Sequence, residues 1–233
     1  MAHWIERIGL GLGVLALAFA VGVTPADAKK KRDPGKKVYM TKTCIACHGK
    51  NGAKAMLDYP NLAGQSEKYM IAQIKDIIKG KRTGSPDPTG NPRSQGMRGA
   101  LVTPDGKPTI TNEEIKLVSK WLAKQTPAEP AKQTPAEPAK PETPIDPAKA
   151  EAGQKLYKKK CKACHGKGAL KPLKGYPIIA GQKREYIITQ INDIKTKARK
   201  NGKSKLMISA VKKLSDDDIG ALADYLSQID RTP

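Results

Sequence analysis

Cysteine and histidine recur in this chain at one fixed spacing, as Cys-Ile-Ala-Cys-His at residues 44–48 and Cys-Lys-Ala-Cys-His at residues 161–165. On a helical turn, two cysteines three residues apart project the same way, and the histidine that follows points to that side. Such thiols can add to the two vinyl groups of a porphyrin while the histidine binds the iron. The pentapeptide is therefore the attachment signal of c-type haem. We expect two covalent haem c groups, held by four thiols: Cys44, Cys47, Cys161 and Cys164.

The supply of reactive side chains limits what else the chain can do. The sequence has four cysteines and three histidines. Both motifs together use every cysteine, and His3 lies in an apparent leader, so only the axial ligands His48 and His165 remain. No other histidine is available for acid–base catalysis, which argues against an enzyme. Zinc is disfavoured because the Cys-x-x-Cys pairs are 117 residues apart, against about 15–20 in a zinc ribbon.

The chain aligns with itself at an offset of 117 residues. Tyr-Pro occurs at 59–60 and 176–177, and Ala-Gly-Gln at 63–65 and 180–182. Later segments align at smaller offsets because the first copy has two insertions. A duplicated module is therefore predicted, at residues 34–123 and 146–230.

A proline-rich segment, residues 124–145, separates the two modules. The octapeptide Gln-Thr-Pro-Ala-Glu-Pro-Ala-Lys occurs at 125–132 and again at 133–140. Such a sequence cannot form a packed core and favours extended polyproline-like chain. We interpret it as a passive linker rather than a docking motif, which predicts two carriers on a tether.

Each module is predicted to be all-α. Asp-Pro at 33–34 and 146–147 is typical of a helix start. Isoleucines at helical spacing, at 71, 74, 77 and 78 and at 188, 191 and 194, predict a buried helix in each module. Gly80 and Gly202 are predicted to end these helices. Capping boxes at 111–114 and 215–218 predict the last helix of each module, with buried faces at 115, 118 and 122 and at 219, 222 and 226.

A low-spin haem also needs a sixth ligand, for which methionine is the candidate. Met207 is the only methionine after residue 97, and it lies shortly before the last helix. The first module offers Met56, Met70 and Met97, of which Met97 alone has a methionine at the equivalent repeat position. We therefore expect His48 with Met97 and His165 with Met207.

The N-terminus resembles a secretory signal. Residues 8–23 are apolar, Ala-Asp-Ala at 26–28 fits a cleavage site, and a basic segment follows at 29–33. A signal peptide at 1–28, cleaved after Ala28, predicts a periplasmic protein. The alternative is a membrane-anchored protein that keeps this segment.

The formal net charge is +21. A positive surface steers association toward acidic proteins or an anionic membrane surface. The charge is spread along the chain without a nucleic-acid motif, and export removes the usual target, so no nucleic-acid partner is expected.

Together these residues resemble dihaem class I c-type cytochromes of the cytochrome c4 family. The resemblance covers 34–123 and 146–230, through the haem motifs, Tyr-Pro with Ala-Gly-Gln, the late methionine and the closing helix. It implies electron transfer with partners such as a terminal oxidase, a bc1-type complex or a periplasmic dehydrogenase. It also implies that Pro60 and Pro177 present their carbonyls to the histidine Nδ1–H groups. The chain departs from the pattern where Met40 replaces the aromatic found at Tyr157, so different helix packing is expected there.

The two alternatives are a subunit of a dehydrogenase and a dihaem enzyme. A dihaem subunit of a dehydrogenase complex, such as flavocytochrome c sulfide dehydrogenase, has a similar architecture. A dihaem peroxidase would need a further histidine, and a thiosulfate dehydrogenase resembling this chain would use a distal cysteine. The sequence has neither to spare, so a carrier is favoured over an enzyme.

Overall fold

The computed structural model describes residues 32–87, 90–128 and 145–231. The predicted signal peptide, residues 29–31 and linker residues 129–144 lie outside these ranges. Within the described residues the chain is helical, and β-pairing is limited to two isolated bridges. The all-α prediction is confirmed. No helix in these ranges combines the length and the apolar character needed to cross a membrane.

Each module repeats one order of helices. The first contains α1 (Pro34–Thr41), α2 (Cys44–His48), a 3-10 turn (Lys50–Gly52), α3 (Glu67–Ile78), α4 (Gln95–Leu101) and α5 (Asn112–Ala123). The second contains α6 (Pro147–Lys160), α7 (Lys162–His165), a 3-10 turn (Lys167–Ala169), α8 (Arg184–Lys195), α9 (Ser204–Val211) and α10 (Asp216–Ser227).

The helix starts follow the predicted capping residues. The Asp33 carboxylate accepts from Gly35 N at 2.8 Å, and Asp146 accepts from Ala148 N at 2.9 Å. Both capping boxes form, with side chain and backbone bonded reciprocally at the start of α5 and of α10. These bonds satisfy N–H groups that have no partner within the helix.

In each module the first helix crosses the last at a glycine. A Cβ added to Gly35 in α1 would lie 2.3 Å from Leu117 O, and one added to Gly153 in α6 would lie 1.9 Å from Ala221 O. Only glycine allows so close an approach of two backbones. The predicted faces of α5 and α10 are buried, each side chain at most 2% exposed: Ile115, Val118, Leu122, Ile219, Leu222 and Leu226.

The prediction of different packing around the first-helix aromatic is wrong. Tyr39 is 0% and Tyr157 1% exposed, and each donates from its hydroxyl at 2.6 Å, to Gly49 O and to Gly166 O. The first module has one more residue between this tyrosine and its haem motif. Thr43, at φ 55°, absorbs that residue in a left-handed turn between α1 and α2, so Tyr39 keeps the position of Tyr157.

The predicted ends of α3 and α8 are half right. α3 ends at Ile78, and Gly80 follows at φ 65°. α8 ends at Lys195, seven residues before Gly202, so that prediction is wrong. Lys197, at φ 64°, holds the place of Gly80 at the repeat offset.

The two modules contact each other, a point that the sequence left open. Gly84 N donates to Ala198 O at 3.2 Å, and Ser85 N donates to the Asp193 carboxylate at 3.0 Å. Near the C-terminus, Arg231 Nη2 donates to Ala63 O at 2.8 Å. A linker's length limits how far apart two modules can move, but it does not determine whether they associate.

Candidate haem sites

The cysteines lie on, or directly before, the short helix that follows the first helix of each module. Cys44 and Cys47 belong to α2. Cys161 directly precedes α7, and Cys164 lies within it. Burial raises the pKa of the Cys44 and Cys161 thiols to about 11. A neutral thioether therefore suits these positions better than a thiolate.

Both histidines are buried and held by one ring nitrogen. His48 is 7% and His165 3% exposed. Nδ1 of His48 lies 3.0 Å from Pro60 O, and Nδ1 of His165 lies 3.1 Å from Pro177 O. Since burial lowers the pKa of both imidazoles, each is a neutral ring that donates from Nδ1.

That tautomer leaves the other ring nitrogen with a free lone pair. Nε2 of His165 is buried and has no hydrogen-bond partner. A buried polar atom without a partner is costly unless a ligand satisfies it. This arrangement suits a metal-binding imidazole, because the carbonyl of Pro177 accepts from one ring nitrogen while the other stays available.

A glycine follows each histidine and turns the chain sharply. Gly49 has φ 70° and Gly166 has φ 78°. A Cβ at either position would lie 1.9 Å from a backbone carbonyl, Lys54 O or Lys171 O. Their own carbonyls accept the tyrosine hydrogen bonds described above. The turn after each histidine is therefore fixed to the first helix of the module.

One cavity of about 370 Å³ extends from one histidine to the other. Its lining is mostly apolar and includes, from the two modules, His48, Met97, His165 and Met207. Met70 also lines it, but is 4% exposed and belongs to the first module's core. Met56 is 55% exposed and does not line the cavity. Met97 on α4 and Met207 on α9 lie on equivalent helices.

Two arginines meet within this cavity, between the modules. Arg82 donates to Tyr186 OH at 3.0 Å and to Gln190 at 3.3 Å. Arg199, 7% exposed, donates to Tyr69 OH and to Gln73, both at 3.1 Å. Among the described residues, every hydrogen-bond partner of the two guanidinium groups is a neutral side chain. We call these six residues the arginine network.

A buried cation without an anionic partner is unfavourable. Haem carries two carboxylates, so guanidinium groups that form hydrogen bonds only to neutral side chains suit the cofactor that the cysteines imply. The sequence interpretation missed this network. The repeat contains a signal for it: Arg82 and Arg199 are 117 residues apart and therefore occupy equivalent positions in the two modules.

Comparison with known proteins agrees with this geometry. The family model "Cytochrome c" matches residues 33–126, and the model "Cytochrome C oxidase, cbb3-type, subunit III" matches residues 148–226. Cytochrome c4 of Azotobacter vinelandii is 30% identical over 93% of this chain and 94% of its own length. A thiosulfate dehydrogenase electron acceptor of Stutzerimonas stutzeri strain A1501 is 26% identical over 93% of both chains.

A solved structure has the same architecture. Reduced recombinant cytochrome c4 from Pseudomonas stutzeri superposes with a TM-score of 0.63 at 28% identity, covering 84% of this chain and 96% of that one. The two cytochrome domains and their Cys-x-x-Cys-His motifs mean that two haem c groups are covalently bound, one through Cys44 and Cys47 and one through Cys161 and Cys164. By its duplicated haem modules and by this likeness over almost its full length, the chain is a dihaem electron-transfer protein of the cytochrome c4 family.

Proposed function

We propose that this protein is an exported, non-enzymatic carrier that passes single electrons through two His/Met-ligated irons. The supporting observation is the cavity that His48, Met97, His165 and Met207 line together. When bound, each haem supplies a one-electron ferric/ferrous couple. With both axial positions filled by protein side chains, neither iron would have an open position for substrate.

The chain's own residues would keep each site unchanged as the electron moves. The carbonyls of Pro60 and Pro177 hold the imidazoles in one tautomer. A thioether ligand from Met97 or Met207 would favour the reduced iron and raise the potential. The module boundaries, 34–123 and 146–230, are part of this proposal.

Single-ligand variants test the axial assignment. Purified holoprotein would be titrated potentiometrically with optical detection, counting haems and following the red absorption band typical of methionine-bound ferric haem. Met97→Ala and Met207→Ala are each expected to remove half of this band and to lower one potential only. Met56→Ala is the matched control and should leave both haems unchanged. If either ligand variant keeps the full band, or if wild-type ferric protein binds cyanide rapidly, the assignment is wrong.

We also propose that the redox partner is acidic, among dehydrogenases or oxidases. The net charge of +21 supports electrostatic steering toward such a protein. Around the second haem module, the exposed side chains Leu173 and Leu206 have lysines as sequence neighbours. The association rate with an acidic acceptor should fall steeply as salt is added. A rate independent of ionic strength would exclude steering.

The relative named thiosulfate dehydrogenase electron acceptor favours a second candidate, service to one dehydrogenase. In that case the protein would receive electrons from a dedicated enzyme or remain bound to it as a subunit, as in a flavocytochrome complex. Gentle purification from the native host separates the candidates: a carrier elutes alone, whereas a subunit brings its dehydrogenase with it.

Localisation completes the proposal. Export to the periplasm with cleavage after Ala28 fits the apolar run and the Ala-Asp-Ala site. Intact-mass measurement of the native protein would distinguish cleavage from a retained anchor, because the uncleaved chain is 25.2 kDa before haem is added.

A further inference from the structure

Two glutamines join the modules in a reciprocal way. Gln65 donates from Nε2 to Ile178 O at 2.8 Å and accepts from Ile178 N at 2.9 Å. Gln182 donates to Asn61 O at 3.0 Å and accepts from Asn61 N at 2.9 Å. Both glutamine side chains are buried, in residues that are each 5% exposed. We call these pairs of bonds the glutamine clasps.

Each clasp grips the residue that follows a histidine-binding proline. Asn61 comes directly after Pro60, whose carbonyl holds His48. Ile178 comes directly after Pro177, whose carbonyl holds His165. The Pro60 carbonyl and the Asn61 N–H belong to the same peptide plane, because a peptide unit is rigid. Gln182 therefore fixes the plane that carries the His48 acceptor, and Gln65 does the same for His165.

We propose that the two axial histidines are positioned crosswise, His48 by Gln182 of the second module and His165 by Gln65 of the first. The strength and direction of the Nδ1–H···O=C bond set how strongly an imidazole donates to a metal. Each module thereby tunes the iron of the other. This inference rests on the proposed role of the histidines as axial ligands.

If each glutamine acted only within its own module, its replacement would affect the haem of that same module. The oxygen of Gln65 also accepts from Ser66 N at 2.8 Å, and that of Gln182 accepts from Lys183 N at 3.1 Å. These bonds lie at the start of α3 and of α8, within the glutamine's own module. If they carried the whole effect, a glutamine variant would disturb its own module first. The side on which the effect falls therefore separates the two roles.

The test compares Gln182→Leu and Gln65→Leu holoproteins, which are each other's control. The readouts are the two reduction potentials and the paramagnetically shifted proton resonances of each ferric haem, assigned with the Met97→Ala and Met207→Ala proteins. Gln182→Leu should raise the ratio of reduced to oxidised iron in the first-module haem about threefold, or about 28 mV at 59 mV per tenfold, because a weaker Nδ1–H···O=C bond makes the imidazole a weaker donor to ferric iron. Gln65→Leu should do so for the second-module haem, while the remaining haem moves much less.

Three further variants serve as controls. Thr83→Ala removes another bond between modules, from Thr83 Oγ1 to Ala198 O at 2.9 Å, without touching either proline segment, so both haems should stay unchanged. Gln182→Asn and Gln65→Asn retain the amide and replace the leucine variants if those do not accumulate as holoprotein. Shifts in the variant's own module, equal shifts in both haems, or no shift would overturn the crosswise assignment. Failure of the axial proposal would instead be seen in the methionine variants.

Discussion

Replacing Gly153 by alanine should loosen the second module through one misplaced methyl group. The added Cβ would lie 1.9 Å from Ala221 O, whereas real Cβ contacts essentially never fall below 3.0 Å. Both atoms belong to helices, α6 and α10, so neither can rotate away. The two helices must therefore separate by about 1 Å, a gap that forfeits about a quarter to a half of each dispersion contact across it.

The size of the loss follows from what lies in that crossing. Tyr157, Ile219 and Leu222 are each 1% exposed, and a buried side chain makes about 40–60 contacts worth about 0.1–0.2 kcal/mol each. If half of these cross the interface and a quarter of their energy is lost, the cost is about 3 kcal/mol. Alanine's better helix propensity returns about 1 kcal/mol. The net loss of about 2 kcal/mol corresponds to a Tm about 4–8 °C lower.

The assay is thermal unfolding of haem-loaded protein, followed by circular dichroism. Gly220→Ala is the matched control, because it is also in a helix but its Cβ would lie 3.8 Å from the nearest atom, at the end of the Arg184 side chain. It should raise the Tm by about 2–4 °C, as expected from helix propensity alone. A Gly153→Ala protein as stable as wild type would refute the close-crossing argument.

Three further predictions follow from other contacts. Arg82→Gln should lower both haem potentials, on the order of 59 mV for a tenfold change. The reason is that removing a cation from between the modules favours ferric iron in both haems. A potentiometric shift confined to one haem would contradict this. Burial raises the pKa of Tyr157 to about 12, above the unfolded value of about 10, so stability present below pH 10 should fall as pH rises toward 12. Tyr157→Phe should flatten that fall in denaturant titrations, and an unchanged slope would count against it. Lys197→Gly should raise the free energy of unfolding by about 1 kcal/mol by relieving a left-handed lysine, and a lower Tm would disprove strain there.

Local signals in the sequence were sufficient for the module itself. The haem motifs, the capping boxes and the isoleucine spacing depend on neighbours within a few residues, and the helices begin where those signals lie. The equivalence of Tyr39 and Tyr157 was missed because a single extra residue hides it. A strict offset of 117 residues aligns Met40 with Tyr157. The left-handed turn at Thr43 accommodates the extra residue, so Tyr39 takes the equivalent position.

The association of the modules could not be read from the linker. Its composition indicates an extended chain, which sets a maximum separation only. The bonds that join the modules include those of Gln65, Gln182, Arg82 and Arg199 to groups more than 100 residues away in the sequence. The sequence near each of these residues does not indicate which distant residue it contacts. The repeat did carry a clue, since a glutamine in a buried Ala-Gly-Gln turn needs a hydrogen-bonding partner.

The glutamine clasps are isologous, because each module offers the same two groups and receives the same two in return. This is the relation found across the two-fold axis of a homodimer, here built within one chain. A single module of this kind would present both halves of its own interface and could pair with a second copy of itself. Joining the two halves by a linker replaces that concentration-dependent encounter with an intramolecular one. It also frees each side to change independently, so that two equivalent electron sites can become two different ones.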